Sequence, residues 1–274
     1  MNKIIVPVDF SVYSERALET AAFLAKESKA EVLVVHMLEL SDGVVNKSES
    51  YAQQETVFYL KLAEKRFNSF LQKEYLSDIK ITPIIKHFKI FSELDQLAKE
   101  EDADLIVMGS KGTSGLKEMF IGSNTEKVIR HAHIPVLVVK EEAITQKLET
   151  AIFACDFSKD DVASYMNAKT LFEKLNCKLQ LVYVNTSTSK FKSSREIDAK
   201  INSFFEMTNE ERSDVKIVSD YTVEKGILYY ADVCNATVIT VATHGRKGIS
   251  HFFNGSISED IANHSKRPIL SFKI

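Results

Sequence analysis

The chain has 274 residues, of which 45% are hydrophobic and 27% charged, and its net charge is −3. This length fits one large domain or two of ordinary size, and the composition is that of a soluble globular protein. The small negative charge gives no reason to expect a nucleic-acid partner, and no apolar run approaches the ~20 residues of a membrane span. The three cysteines lack metal-ligand spacing and the N-terminus lacks a signal-peptide pattern, which together predict a reduced, cytoplasmic chain without membrane contact.

The first half alternates apolar runs with helical patterns. We predict strands at 3–8, 31–37, 81–88, 105–108 and 136–139, and helices at about 12–28, 51–76, 92–101 and 123–133. Ser11 is placed to cap the first helix, and Pro83, which lacks an amide donor, suits an edge strand. The long helix presents Val57, Leu60, Ala63, Phe67 and Phe70 at helical spacing. Strands separated by helices indicate a parallel, doubly wound α/β sheet.

The second half repeats the first. The sequence VPVDFS at 6–11 returns as FACDFS at 153–158, an offset of 147. Further on, GSKG at 109–112 meets ATHG at 242–245, and the offset has fallen to 133, so the second copy lacks 14 residues in between. The repeat is too long for a solenoid unit and has the size of a domain. We therefore predict two tandem domains, at 1–142 and 149–274, joined by a charged linker.

A glycine-punctuated loop follows the strand at 105–108. Gly109, Gly112 and Gly122-Ser123 form the pattern G-x2-G-x9-G-S, and a helix starts at its end. The S-x-x-E sequence from Ser123 to Glu126 is typical of a capping box. Backbone amides and the helix dipole at such a helix start suit a phosphate group. The pattern is neither a P-loop nor G-x-G-x-x-G.

This glycine pattern resembles the ATP-binding signature of the universal stress protein family, and the resemblance extends over nearly the whole chain. It implies two five-stranded parallel sheets of order 3-2-1-4-5, in which the first and fourth strands are neighbours and ligands bind at the carboxyl ends between them. It implies an adenine nucleotide, ATP, as the ligand, with Mg²⁺ as an option on the phosphates. It also implies that the last strands, 136–140 and 269–273, pair in an intramolecular pseudo-dimer, which could dimerise further.

The same resemblance assigns roles to individual residues. Asp9 would contact the nucleoside end, where a carboxylate can accept hydrogen bonds from ribose hydroxyls or an exocyclic amine. Met37 would read the adenine edge through its backbone, while its side chain fills the core. The candidate nucleotide-binding residues are Asp9, Met37, Gly109, Gly112, Gly122, Ser123, Asn124 and Thr125 in the first copy, and Asp156, Gly245, Gly255 and Ser256 in the second.

Two departures from the pattern sharpen these expectations. Ala242 stands where the first copy has Gly109, and a Cβ costs about 1–2 kcal/mol if that position needs φ > 0, or blocks a close approach of ribose. We therefore expect the first copy to bind nucleotide more tightly. The second departure lies before the third strand of the second copy, where residues 187–194 are predicted to form a loop.

Function is left with three alternatives. The first is an ATP-binding stress-response regulator in which ATP shifts conformation or partner binding. The second is a slow ATPase or nucleotidyl-transfer enzyme, although no general base or arginine finger can be placed and no catalytic residue is predicted. The third is an interaction scaffold that binds no nucleotide. His131 and His133 lie in the last turn of a helix, where capping is favoured over metal binding, so no metal site is predicted.

Overall fold

The computed structural model describes residues 1–38, 49–87, 90–111, 121–187, 191–243 and 265–273. The chain divides into two compact units, with the main boundary between Thr145 and Gln146. Among the described helices, none combines the length and the apolar character that crossing a membrane would require.

The first unit is a five-stranded parallel sheet with helices between its strands. In chain order it contains β1 (Lys3–Pro7), α1 (Val12–Ser28), β2 (Glu31–Leu38), α2 (Glu49–Phe70), β3 (Ile81–His87), α3 (Ile90–Glu100), β4 (Leu105–Gly109), α4 (Ser123–His131) and β5 (Val136–Val139). The strand order is β3-β2-β1-β4-β5 and every pairing is parallel. This confirms the predicted doubly wound sheet, and Pro83 lies in β3 at the end of that order.

The central strands are apolar along their whole length because both faces of a parallel sheet are covered by helices. Ile4, Ile5 and Val6 of β1 are completely buried, and the run from Leu105 to Met108 in β4 is buried as well. The α1 helix ends at Lys29, whose left-handed backbone caps it by donating to the Ala25 carbonyl.

Three details of the helix predictions are wrong. The α2 helix ends at Phe70 rather than near residue 76, and a short 3-10 turn, Glu74–Leu76, follows it. Val57 is 50% exposed, so the predicted apolar face does not extend to that residue. The α4 helix ends at His131, two residues early, because Ala132 already has an extended backbone (ψ 135°) in the approach to Pro135.

The second unit repeats the arrangement. It contains β6 (Thr150–Ala154), α5 (Asp161–Lys174), β7 (Lys178–Thr186), α6 (Ser194–Thr208), β8 (Val215–Asp220), α7 (Val223–Val233), β9 (Val238–Thr243) and β10 (Ile269–Lys273). Its strand order is β8-β7-β6-β9-β10, again all parallel. The register Ala151↔Val238 reproduces Ile4↔Leu105 at the two sequence offsets of the repeat, so the units are structural copies.

The loop predicted at 187–194 is wrong at its end. Ser193 is the N-cap of α6, and Ser194 is already helical. The Ser193 hydroxyl accepts a hydrogen bond from the Glu196 amide (3.4 Å), and the Glu196 carboxylate accepts one from the Ser193 amide (2.8 Å). These two reciprocal bonds form a capping box, which stabilises the start of the shorter helix of the second unit.

Candidate functional site

The candidate site of the first unit lies at the carboxyl ends of β1 and β4, which are neighbouring strands. The register Ile5↔Ile106 places the residues that follow both strands at one edge of the sheet. Asp9 follows β1 by two residues, and Gly109 is the last residue of β4. Two distant parts of the sequence therefore meet at the edge where doubly wound sheets bind ligands.

Asp9 opens a tight turn into α1. Its Oδ1 accepts hydrogen bonds from the Ser11 amide (3.0 Å) and the Ser11 hydroxyl (2.5 Å). Ser11 in turn accepts from the Ser14 amide (3.3 Å) and caps α1, as predicted. The carboxylate is thereby fixed in direction at the sheet edge by its neighbour two residues along the chain.

Phe10, between these two residues, has an unusual backbone. Its φ is 62°, in the left-handed region that a bulky side chain rarely adopts. The ring packs on His36 (centroids 4.5 Å apart) and edge-on against Phe67 and Phe70 of α2 (5.4 Å each). These ring contacts offset a backbone cost of about 1–2 kcal/mol. The turn therefore depends on an aromatic cluster formed by Phe10, His36, Phe67 and Phe70.

Gly109 is required by packing inside the unit. A Cβ built on it would lie 2.8 Å from the backbone carbonyl carbon and oxygen of Tyr13, in the first turn of α1. Its φ is outside the left-handed region, so the idea that this position needs φ > 0 is wrong. The missing side chain lets the start of α1 approach the end of β4.

That loop is closed at its base by backbone hydrogen bonds. The Gly122 amide donates to the Ser110 carbonyl (2.8 Å), and the Ser110 amide donates to the Val139 carbonyl of β5 (2.9 Å). The Thr125 hydroxyl, which is buried, donates to the Gly109 carbonyl (2.9 Å). Thr125 thus ties the helix start to β4, and its hydroxyl proton is not directed at a ligand. Gly112 lies outside the described residues.

The start of α4 differs from the prediction. Gly122 is the N-cap, with an extended backbone and no side-chain cap, and Ser123 is the first helical residue. The predicted capping box is therefore wrong, because glycine takes the cap position one residue earlier and Glu126 instead pairs with Arg130 (2.7 Å). The amides of Ser123 and Asn124 lie in the first turn, where no intrahelical acceptor exists, and both residues are exposed. They are donors available to an anion.

Positive charge surrounds the loop base. Lys111 follows β4, and its ammonium lies 5.9 Å from the centre of the Tyr13 ring. Lys140 follows β5 and is buried; burial and the nearby Lys111 charge lower the pKa of its ammonium to about 8, so it remains largely charged at neutral pH. This potential favours an anionic ligand at the same edge.

Met37 is placed as expected for a core side chain. It is the penultimate residue of β2, is buried, and lies in register with Lys86 of β3.

His133, two residues beyond the end of α4, makes a structural contact. The His133 ring Nδ1 lies 2.7 Å from Asp95 Oδ1. Burial acts against ionisation of Asp95, but hydrogen bonds from Lys99 and His133 outweigh it and lower the pKa of this carboxyl to about 2. Within the ranges that the structure describes, no group of three or more His, Cys, Asp or Glu residues could hold a metal ion.

The second unit keeps the turn but gives it other partners. Phe157 is left-handed (φ 58°), and the Asp156 Oδ1 accepts from the Ser158 amide (2.9 Å), as in the first unit. Lys200 of α6 reaches the Asp156 carboxylate (3.4 Å), so this carboxylate is paired with a cation of the chain itself. Gly245, Gly255 and Ser256 lie outside the described residues.

The helix that follows also starts differently. Asp161 Oδ2 accepts from both the amide and the hydroxyl of Ser158 (3.0 Å each), and α5 begins only at Asp161. Burial, together with its hydrogen bond to Asp156, raises the pKa of the Asp161 carboxyl to about 6. The first helical turn of the second unit is thus fixed by a buried acid that has no counterpart in the sequence predictions.

Sequence reasoning missed Phe10, His36 and Lys200. A signal existed for two of them, because the repeat preserves phenylalanine at 10 and 157 and aligns His36 with Tyr183. A bulky residue retained between the same two polar residues in both copies indicates a required turn. Nothing in the sequence spacing points to Lys200, which reaches Asp156 from a helix more than forty residues later.

The fold and the turn define a class first: a tandem of doubly wound α/β domains, each with its candidate site at the carboxyl ends of the strands. Residues 1–140 and 148–273 both match the sequence profile of the universal stress protein family. The chain belongs to this family and contains its domain twice.

Individual members of this family are similar to the chain in sequence and in fold. A universal stress protein of Methanocaldococcus jannaschii is 32% identical over 155 residues, which are 52% of this chain and 96% of the relative. The universal stress protein YxiE of Bacillus subtilis is 32% identical over 146 residues, 51% of this chain and 99% of the relative. The crystal structure of a universal stress protein from Archaeoglobus fulgidus shares the fold, with a TM-score of 0.68 at 23% identity, covering 99% of this chain and 96% of that one.

Proposed function

We propose that this chain is an ATP-binding regulatory protein of the stress response, and that it binds the nucleotide chiefly in the first unit. The observation that carries the proposal is the meeting of three features at one sheet edge. These are the fixed Asp9 carboxylate, the first-turn amides of the exposed residues Ser123 and Asn124, and the lysines that follow β4 and β5.

The chemistry of the edge divides as a nucleotide does. A carboxylate repels phosphate but accepts hydrogen bonds from ribose hydroxyls or an exocyclic amine, so Asp9 suits the nucleoside end. The first turn of α4 offers amide donors and the positive end of a helix dipole, which suit phosphate. Lys111 and Lys140 add positive charge on the phosphate side. A Mg²⁺ ion would accompany the phosphates, because it keeps several waters and takes few protein ligands.

The ranking of the two units rests on the second turn. Lys200 already pairs with Asp156, so a nucleoside would have to displace that ammonium to reach the carboxylate. Ala242 also places a Cβ where the first unit has none. Both differences act against nucleotide binding in the second unit. In this proposal ATP acts as a ligand that shifts conformation or partner binding.

The test begins with the protein as purified. The purified protein is denatured and removed, and the supernatant is assayed for adenine nucleotides. Released ATP supports the proposal, whereas ADP in its place favours an enzyme that hydrolyses ATP slowly. Added ATP should raise the free energy of unfolding by RT ln(1 + [L]/Kd), about 2.7 kcal/mol at 100 times Kd, and the melting temperature should rise with it. No bound nucleotide together with no thermal shift up to millimolar ATP would overturn the proposal.

A further inference from the structure

We propose that His36 is a positioning residue for the first nucleotide site, and that only its neutral ring holds the Asp9 turn in the conformation that binds. The inference rests on the proposed function, because it concerns the affinity of that site for nucleotide. It adds pH control to the site through a residue of β2 whose side chain is assigned no contact with the ligand.

His36 supports the turn from two sides. Its Nδ1 lies 2.8 Å from the Val8 carbonyl, the residue directly before Asp9. Its ring also lies against the Phe10 ring, the residue directly after Asp9, with centroids 4.5 Å apart. The neighbours of Asp9 on both sides are therefore held by one imidazole. Because Phe10 has a strained left-handed backbone, the turn persists only while such contacts offset the strain.

The surroundings of the ring disfavour a charge. Burial lowers the pKa of His36 below its ordinary value of 6.5; the Val8 hydrogen bond and Asp9 act to raise it, while Arg66 of α2 adds to the lowering. The nearest rings, Phe10 and Phe67, are apolar. On β3 the residue in register with His36 is Ile85, which is uncharged. The imidazole is thus neutral at pH 7.5, and protonation would place a cation in an aromatic cluster.

Protonation would therefore drive the half-buried ring toward water, since partial burial disfavours its charge more than Asp9 and the Val8 carbonyl favour it. Phe10 would lose its nearest ring contact, and the left-handed turn could relax to an ordinary backbone conformation. The Asp9 carboxylate would then lose the direction that Ser11 gives it. If the nucleotide binds only the ordered turn, its binding is favoured by the neutral ring. By reciprocity, bound nucleotide must favour the neutral ring and so lower the pKa of His36 further.

The chain contains its own comparison. Tyr183 occupies the equivalent position in the second unit, where its ring lies 6.3 Å from the left-handed Phe157. Burial raises the pKa of the Tyr183 hydroxyl, so this ring stays uncharged at every pH of interest. The replacement His36→Tyr thus installs a ring that the same fold already accepts in this position and that does not titrate.

The experiment measures ATP affinity of the full chain by calorimetry at pH 7.5, 6.5 and 5.5. Compared with His36→Tyr, the unchanged protein should lose about tenfold in affinity for each pH unit below the pKa of His36. Taking the ratio of the two proteins at each pH cancels the titration of ATP itself. His133→Asn, which removes a histidine that follows α4 and pairs with Asp95, should leave the pH profile unchanged.

If His36→Tyr disturbs folding, His36→Asn replaces it, because its amide can donate to the Val8 carbonyl without titrating. NMR titration of the histidine ring in the unchanged protein gives an independent readout: saturating ATP should lower the pKa of His36. Parallel pH profiles for the unchanged protein and the variants, or a pKa that ATP raises or leaves unaltered, would overturn the inference. Failure of the unchanged protein to bind ATP at pH 7.5 would overturn the proposed function as well, so the two failures are distinguishable.

Discussion

The turns after β1 and β6 have the same three residues and different surroundings. Both contain Asp-Phe-Ser, with φ values of 62° and 58° at the phenylalanine. Both fold the aspartate back onto the serine amide, at 3.0 and 2.9 Å. Yet Ser11 caps a helix that starts at Val12, whereas the helix after Ser158 starts only at Asp161.

Two differences accompany the later start: Ser158 is bonded to the Asp161 carboxylate, and Ala242 stands on the fourth strand where the first unit has Gly109. Gly109 lets the backbone of Tyr13 approach within 2.8 Å of where its Cβ would be. The corresponding residues of the second unit are Ala242 and Asp160, and there Asp160 is a cap rather than part of the helix. The comparison shows that the left-handed turn forms in both units with different partners, whereas the start of the helix behind it differs between them.

The largest effect should come from the loop base. Gly122→Val places a side chain at the N-cap of α4, where phosphate is proposed to approach. It should abolish the thermal shift with ATP, which corresponds to losing a stabilisation of about 2.7 kcal/mol at 100 times Kd. Gly255→Val is the matched change in the second copy and should leave most of the shift. Equal losses from the two variants would contradict the ranking of the sites.

The next largest effect concerns the equivalent aspartates of the two units, Asp9 and Asp156. Asp9→Ala should weaken ATP binding by about 10- to 100-fold, because hydrogen bonds to a charged group contribute about 1.5–3 kcal/mol. Asp9→Asn keeps an acceptor for the Ser11 amide and separates loss of the charge from loss of the turn. Asp156→Ala should change the affinity for ATP less than threefold. Calorimetry measures both changes. A larger effect there would mean that Lys200 does not block the second site.

The third comparison concerns packing. Gly109→Ala should lower the free energy of unfolding by about 1–2 kcal/mol, because its Cβ meets backbone atoms that cannot rotate away. Ala242→Gly should cost less than about 1 kcal/mol, since it only loosens a strand. Urea unfolding monitored by circular dichroism gives both values. A neutral Gly109→Ala would show that α1 can shift as the second helix has done.

The smallest effect is a pH dependence of the second unit. Because the pKa of Asp161 is raised to about 6, the folded chain binds more protons than the unfolded chain between about pH 4 and pH 6. The free energy of unfolding should therefore fall as pH rises through this window, by on the order of 1 kcal/mol. Asp161→Asn should remove that slope in urea unfolding. A slope that survives the substitution would assign it to another group.

Much of the architecture could be predicted from the sequence, because it depends on patterns that repeat. Continuous apolar runs gave the strands, and the repeat of VPVDFS gave the two copies. The meeting of Asp9 and Gly109 at one edge followed from the strand order that the family resemblance implied.

What failed depended on the choice of one cap residue and on contacts between distant residues. Ser123-x-x-Glu126 and Ser193-x-x-Glu196 look alike in sequence, yet only the second forms a capping box, because Gly122 takes the cap position in the first. The packing reason for Gly109 involves Tyr13, nearly a hundred residues earlier, and the partner of Asp156 lies on α6. Local patterns contain no information about which of these contacts forms.

The left-handed phenylalanine has a consequence for protein engineering. Grafting the Asp-Phe-Ser tripeptide alone into another protein would not reproduce the turn, because the strain at Phe10 is compensated by rings from β2 and α2. The transplantable module is discontinuous: it consists of the tripeptide and the rings that press on it. Moving the tripeptide and the rings together would transfer an aspartate whose carboxylate is held in a fixed direction. The tripeptide alone would transfer an aspartate in a flexible turn.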